Sequence, residues 1–442
     1  MTEGHLQTAI LETEKESPND RQSAPLLSLI SQAFVSGCNF VTAVIVGNAC
    51  DADGLGYYVL GFSIIVLGIG VQSALVSIPF TVFYPTESSS GRSLRLGTSC
   101  LNHLRVLIGF SVVGLFVAVA QFSLGYVNES TIAFALMLAI PAAASREFVR
   151  KIWFSKQLVG HAVILDGIVA CTQLGILVLL WQAKWLTPQL AILTIALACT
   201  VACFFQITRR AKGRWVSIVK SIPRLKEDTE KDWAFGRWLL LEQLSTIAST
   251  YLLPWMLAFY LDPRSVGVFA ACLSIAALSN PFLQGLGNYL LPLFAIRISN
   301  QDQAGLVKDN RNYTLLTLVA MLAFFLIAFL FGEQLLQLFF RREQYVGFGV
   351  LVGLLALRAV IGSMGLTAHY YLLAREKPQI SLLASVLAVA TILITAIFWL
   401  PSHNVYGAAY AWIAGACVES FVMVAGYLSL PPLQDSNGGD HD

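Results

Sequence analysis

Long, uninterrupted runs of apolar residues constrain the fold of this chain more than any other feature of its sequence. A helix needs about 20 mainly apolar residues to cross the hydrocarbon core of a bilayer, whereas a barrel strand alternates over about ten. Hydrophobic residues make up 56% of the 442 residues and charged residues 12%, about half of their share in soluble domains. The runs predict an all-α membrane protein with about twelve transmembrane helices, near 26–49, 57–83, 104–124, 130–149, 157–181, 186–207, 236–260, 266–293, 313–332, 346–372, 380–400 and 405–429.

Basic residues are distributed unevenly over the connections between these spans. If the N-terminus is cytoplasmic, the outer connections receive only four of the 28 lysines and arginines, namely Lys184, Arg264, Arg341 and Arg342. Lysine and arginine are enriched on the cytoplasmic side of membrane proteins. The sequence therefore predicts a multi-pass protein of the inner (plasma) membrane with both termini in the cytoplasm. The adjacent pair Arg341-Arg342 is the one local exception to this distribution.

The chain repeats one pattern at an offset of 211 residues. The first-half pattern Asp51-x4-Gly56-x-Tyr58-x4-Ser63-Ile64 matches the second-half pattern Asp262-x4-Gly267-x-Phe269-x4-Ser274-Ile275. Because six spans return a chain to its starting side, we expect two parallel six-helix lobes around a central cleft. The predicted divisions are a disordered cytoplasmic tail (1–25), an N-terminal lobe (26–207), a basic cytoplasmic linker (208–235), a C-terminal lobe (236–430) and a second tail (431–442).

Four ionisable residues lie inside predicted spans, where a charge costs about 2.5–3.5 kcal/mol at a helix centre. They are Asp166, Glu242, Arg358 and Glu419. One interpretation is that they line a hydrated lumen between the lobes, where Arg358 donates to a substrate phosphate and the carboxylates bind a coupling cation or proton. The other interpretation is that Arg358 pairs with Glu419 and fastens two helices of the C-terminal lobe together.

Other polar residues are weaker candidates for the lumen. Arg237, Gln243 and His369 lie in or near spans, where hydrogen bonds between helices are the commoner role. Cys199 and Cys203 lie four residues apart on one helix, and packing is the favoured interpretation over a metal pair. The sequence predicts no metal site and no catalytic residue. A net charge of +2 gives no basic footprint for nucleic acid.

Two apolar segments resemble the starts of the two halves of a known transporter family. They are SLISQAFVSGCNFVTAVIVGNACDADGLGYYVLGFSIIVL and FGRWLLLEQLSTIASTYLLPWMLAFYLDPRSVGVFAACLSI, and PFLQGLGNYLLPLFAIR is similar to that family's eighth helix. The family is the Wzx-type oligosaccharide flippases of the multidrug/oligosaccharidyl-lipid/polysaccharide exporter superfamily. The resemblance runs over 25–430. Members have no invariant catalytic signature but tend to have a charged central lumen, for which Arg358 is the matching residue.

The resemblance implies a substrate, a lipid-linked oligosaccharide on an undecaprenyl pyrophosphate carrier. It would be flipped from the cytoplasmic to the outer leaflet by alternating access, for cell-surface polysaccharide synthesis. A polyprenyl tail stays in the bilayer, because each buried CH₂ contributes about 0.8 kcal/mol. The resemblance also implies that the protein uses no cofactor beyond a coupling H⁺ or Na⁺. It further implies contacts with membrane lipids and with glycan polymerase machinery, and that a monomer is sufficient for transport.

Three other classes share some of these features. A cation-coupled small-molecule or multidrug exporter of the same superfamily has the same twelve spans; the buried carboxylates favour it and Arg358 disfavours it. A major-facilitator transporter also has six plus six spans, but the connection PTESSSGRSLRLGTSCLNH lacks that family's acidic-basic glycine motif. A membrane enzyme needs catalytic groups in a large outer loop, and the longest outer connection, near 333–345, has only about a dozen residues.

Overall fold

Residues 18–156, 158–208 and 222–431 are described by a computed structural model of the chain. Helices fill almost all of these residues, and the described ranges contain no strand. The helices are α1 (Pro18–Ala49), α2 (Asp51–Phe83), α3 (Ser89–Ser123), α4 (Val127–Ser155), α5 (Val159–Gln182), α6 (Pro188–Thr208), α7 (Leu225–Tyr260), α8 (Pro263–Ser299), α9 (Gln303–Phe339), α10 (Gly349–Ala374) and α11 (Pro378–Ser429).

These helices account for all twelve predicted spans. Ten helices in the described part of the chain are long and apolar enough to cross a membrane, and α7 is a further helix of 36 residues. The last two predicted spans form the two arms of α11, which bends at Asn404, where the backbone φ is 52°. The prediction of an all-α, multi-pass membrane protein is therefore confirmed.

The ends of the lobes differ from the predicted divisions. Helix α1 begins at Pro18, so it includes 18–25 of the predicted tail, and α7 begins inside the predicted linker at Leu225. The remainder of those divisions, at 1–17, 209–221 and 432–442, lies outside the described residues. Both helices extend beyond their apolar runs because a helix can continue into the membrane–water interface, where charged side chains remain hydrated.

Two helices at the lobe interface are interrupted just before a proline. Helix α2 widens into a π turn at Ser73–Ser77, and Pro79 follows; α8 tightens into a 3₁₀ turn at Ala277–Ser279, and Pro281 follows. A proline ring clashes with the carbonyl four residues earlier, and proline has no N–H to donate. The carbonyls four residues before Pro79 and Pro281 lie in these two turns, whose altered pitch accommodates the rings.

Helix α7 lies between the two lobes. It packs on α2 along much of its length, from Gly236 beside Ala74 to Trp255, which donates to the Ser63 hydroxyl (2.9 Å), and it also contacts α3, α8 and α11. A Cβ atom added at Gly236 would lie 2.6 Å from the carbonyl oxygen of Ala74, so the two backbones touch where α7 crosses the π turn of α2. Apart from α7 and the extensive contact between α2 and α8, α1 to α6 pack mainly on one another, and α8 to α11 do the same.

Candidate functional site

The lobes meet on the predicted outer side through the two glycines of the sequence repeat. A Cβ atom added at Gly56 would overlap the carbonyl oxygen of Pro263, and one added at Gly267 would overlap the carbonyl oxygen of Ala52. Ala52 and Pro263 are themselves 211 positions apart, so α2 and α8 make one contact twice, in pseudo-symmetric copies. Only glycine allows backbones to approach this closely. The repeat therefore forms the contact that closes this side.

The α9–α10 loop (340–348) extends the same closure onto α1. The Asn48 amide donates to the carbonyl oxygen of Phe339 (2.7 Å) and accepts from the backbone N–H of Arg341 (2.8 Å). The Arg342 Nε donates to the carbonyl oxygen of Asn48 (2.9 Å), and its Nη1 lies 3.3 Å from the carboxylate of Asp51. Asn48 thus satisfies backbone groups of the opposite lobe at the open end of α9.

The same loop also covers the first turn of α2. The Gln344 Oε1 accepts from the backbone N–H of Ala52 (2.8 Å), which lies in the first turn of the helix and has no partner within it. Tyr345 donates its hydroxyl to the carbonyl oxygen of Gly47 (3.2 Å) and is buried against Phe340. The sequence showed Arg341-Arg342 as a charge exception but gave no sign that this loop bridges the lobes.

Helix α7 is fastened to the N-terminal lobe on the predicted cytoplasmic side. Arg95 is fully buried and forms ion pairs with Asp228 (3.2 Å) and Asp232. Arg224 lies 2.5 Å from Glu87, and the hydrogen bond to this carboxylate raises the pKa of Arg224. Arg224, Asp228 and Asp232 lie in the predicted basic linker, and Asp228 and Asp232, four apart, share one helix face. The lobes are therefore joined on both sides, by different chemistry.

Asp166, a predicted lumen residue, lies at the centre of an ion cluster within the N-terminal lobe. Its carboxylate is 2% exposed and accepts from Arg146, from Arg150 Nε (3.1 Å) and from the hydroxyl of Ser31. Arg146 and Arg150 lie one turn apart on α4, so both side chains reach Asp166 on α5, and the Ser31 hydroxyl connects the cluster to α1. Both carboxylate oxygens are thus used in joining three helices. This geometry favours a structural role for Asp166.

Arg358 and Glu419 lie close together in the C-terminal lobe but do not form the ion pair considered from the sequence. No carboxylate of the described residues lies within ion-pair distance of Arg358, whose guanidinium instead stacks on Trp412 at 4.6 Å. The Arg358 Nε is buried and has no hydrogen-bond partner. Trp412 itself packs near Phe269 of α8, with ring centroids 6.1 Å apart. The arrangement leaves a cation inside the lobe with donors unused.

The other predicted lumen residues are distributed over α7 and α10. Glu242 and Arg237 are exposed on α7, and Arg237 stacks on Trp238. Gln243 is half-buried beside Gly70 of α2, and His369 shares a hydrogen bond with Ser381 (3.2 Å), which joins α10 to α11. The seven residues predicted for the lumen therefore do not form one cluster. Within the described ranges, no group of three or more His, Cys, Asp or Glu residues is arranged to hold a metal ion.

Comparison with solved structures identifies the architecture. An inward-facing MATE multidrug resistance transporter of the MOP superfamily superposes with a TM-score of 0.72 at 13% identity, over 93% of this chain and 98% of the other. An outward-facing form of such a transporter gives 0.66 at 13% identity, over 92% and 94%. A MOP superfamily transporter from Pyrococcus furiosus, described as having a binding pocket of reverse polarity, gives 0.65 at 14% identity, over 92% and 94%.

No family model and no curated protein matches the sequence. The structural matches belong to the superfamily named in the sequence analysis, whereas the finer resemblance to Wzx-type flippases stays a prediction. At these identities the likeness establishes the fold over nearly the whole of the chain. The chain is thus a multi-pass membrane protein with the fold of the MATE transporters of the MOP superfamily.

Proposed function

We propose that this protein is a secondary transporter that exports an amphipathic small molecule by alternating access. The observation that carries the proposal is the pseudo-symmetric contact of Gly56 and Gly267, which holds two lobes of MATE fold together backbone to backbone on the predicted outer side, whereas on the other side they are joined through α7. If the lobes separate at this contact and close at the opposite end, a central site is reached from one side at a time. The TM-score to the inward-facing form (0.72) is higher than that to the outward-facing form (0.66), which supports an arrangement that is closed on the outer side.

The charge inside the C-terminal lobe bears on the class of substrate. Arg358 has unused donors and stacks on an indole, an arrangement that suits an aromatic or amphipathic molecule with an anionic group. The Pyrococcus furiosus protein, described as having a binding pocket of reverse polarity, offers a precedent within the fold. Glu419 and Glu242 make no ion pair among the described residues, so they are our candidates for binding the coupling H⁺ or Na⁺.

Purified protein in liposomes tests this proposal directly. We expect protein-dependent movement of an anionic fluorescent amphiphile when a proton or sodium gradient is imposed, and slower movement of a cationic dye of similar size. Dissipating the gradient with an ionophore should stop the movement. Equal rates in protein-free liposomes, or transport that ignores both gradients, would contradict secondary transport by this chain.

Flipping of a lipid-linked oligosaccharide is the second candidate. It is favoured by the resemblance over 25–430 and by the same free guanidinium of Arg358, which is able to pair bidentately with a pyrophosphate. The assay uses a fluorescent lipid-pyrophosphate oligosaccharide and a membrane-impermeant quencher in the same liposomes. Protein-dependent loss of protected fluorescence, without transport of the small dyes, would establish this candidate over the first. Glycan polymerase machinery would then be the expected partner.

Arg358 is expected to carry substrate recognition in either case. We predict that Arg358→Ala lowers transport at least about tenfold while the protein still folds, because a hydrogen bond to a charged group contributes about 1.5–3 kcal/mol. Arg358→Lys keeps the charge but not the planar fork, so part of the transport should remain. Arg264→Gln, which removes an exposed arginine outside the cleft, is the matched control. Wild-type rates for both Arg358 variants would show that the guanidinium does not contact substrate.

A further inference from the structure

A pocket of about 600 Å³ opens on the predicted outer side where the two lobes meet. The N-terminal lobe contributes Val44 and Asn48 of α1 and Trp181 at the end of α5, and the C-terminal lobe contributes the end of α9 and the start of the loop that follows it. The pocket therefore exists only while the lobes are together on this side. It is separate from the charged groups inside either lobe, so its occupant need not be the transported molecule.

The charge in this pocket is positive. Two guanidinium groups, those of Arg341 and Arg342, lie in its wall, and no acidic residue does. Arg342 is held by the carbonyl oxygen of Asn48 and by Asp51, which offsets part of its charge. The Arg341 side chain is exposed and makes no ion pair or hydrogen bond with any described residue; only its backbone N–H is used. The pocket thus presents one fixed and one free guanidinium to an incoming anion.

Apart from Asn48, the rest of the wall is apolar and partly exposed. Leu338 is 60% exposed and Trp181 is 44% exposed, and both lie at helix ends where the protein surface meets the membrane–water boundary. Tryptophan at this depth has one apolar edge and one polar edge, which suits the headgroup region of a lipid. Val44 and Phe339 continue the apolar surface toward the membrane interior. An occupant must therefore combine an anionic head with an apolar tail.

We propose that this pocket binds an anionic phospholipid of the adjoining leaflet. Its phosphate pairs with Arg341 and Arg342, and its acyl chain lies against Leu338 and Trp181. Basic pockets between transmembrane helices bind anionic headgroups in this way on the cytoplasmic or matrix side of membranes, and the same pairing of phosphate with guanidinium applies in the opposite leaflet. Because both lobes build the pocket, a bound lipid stabilises the arrangement that is closed on this side, by its differential affinity for that state. The proposal also explains why the pair Arg341-Arg342 lies on the predicted outer side, where lysine and arginine are otherwise rare.

Native mass spectrometry of the full-length protein, released from detergent micelles, measures this binding. The probes are phosphatidylglycerol, phosphatidylcholine and inorganic phosphate, each titrated separately, and the variants are Arg341→Gln and Arg264→Gln. We expect phosphatidylglycerol to be retained in preference to phosphatidylcholine, and Arg341→Gln to weaken this retention by about tenfold or more, because one charge-assisted contact is lost. Arg264→Gln should behave as the wild-type protein, since Arg264 is exposed on the same side but outside the pocket.

The outcomes separate the proposal from its alternatives. Equal retention of both lipids, or wild-type retention by Arg341→Gln, overturns it. Competition by inorganic phosphate at the same concentration as the lipid would assign the pocket to a free anion instead. Trp181→Ala removes the apolar wall without touching either arginine, and unchanged lipid binding in this variant would also count against the proposal. None of these readouts depends on which molecule is transported, so failure of the transport assays leaves this test intact.

Discussion

Replacing Gly56 with alanine is expected to open the protein on the predicted outer side. The added Cβ overlaps the carbonyl oxygen of Pro263, a backbone atom that cannot move away as a side chain would. Overpacking of this kind costs about 1–3 kcal/mol, which changes the ratio of closed to open forms by about 5- to 150-fold. Gly267→Ala should act in the same way, because its contact with Ala52 is the pseudo-symmetric copy.

Distances between spin labels on the predicted outer ends of α2 and α8 measure this shift. The matched controls are Gly37→Ala and Gly175→Ala, since a Cβ at either glycine meets nothing within 4 Å. We expect the controls to keep the short distances of the closed form and both repeat variants to show long ones. Short distances in Gly56→Ala would mean that α2 and α8 can slide apart slightly without opening, and the repeat contact would not be the closure.

Removing the carboxylate of Asp166 is expected to destabilise the whole protein. Breaking a buried ion pair by removing one partner costs about 3–5 kcal/mol, because the remaining charges stay buried without compensation. In Asp166→Ala, Arg146 and Arg150 would lose their shared, closest partner and keep only the weaker pairs with Glu147, at 3.6 and 3.7 Å, so the cost should lie toward the lower end of this range. We expect a large fall in the temperature of thermal unfolding in detergent and in the yield of monodisperse protein, with Asp166→Asn falling between alanine and wild type.

Glu419→Ala is the control for the unfolding experiment on Asp166→Ala. Glu419 is also a carboxylate inside a span, but it makes no ion pair among the described residues and only faces Arg358 at longer range, so its removal should cost much less stability than that of Asp166. A variant Asp166→Ala that unfolds at the wild-type temperature yet does not transport would restore Asp166 to the lumen, as predicted from the sequence. Comparison of the two variants thus distinguishes a carboxylate with a structural role from one with a functional role.

The span count and the repeat were accessible from the sequence because both depend on local patterns. A run of about twenty apolar residues forms a membrane helix largely independently of its neighbours, since only a helix satisfies its own backbone in lipid. The twelve spans were therefore predicted correctly, and the pattern around Gly56 and Gly267 marked two equivalent positions. The pattern gave no sign, however, that each glycine lies against the other half of the chain.

The pairing of charges depended on which helix faces meet, and this only the tertiary structure decided. Asp166 and Arg358 look alike in the sequence, each being one ionisable residue in an apolar run. The fold surrounds Asp166 with two arginines and a serine from two other helices, whereas Arg358 faces a tryptophan and has no carboxylate of the described residues within ion-pair distance. Arg95 likewise finds Asp228 and Asp232 more than a hundred residues away. Hydropathy fixes which segments enter the membrane, but the rotation and depth at which helices pack fix the partner of each charge.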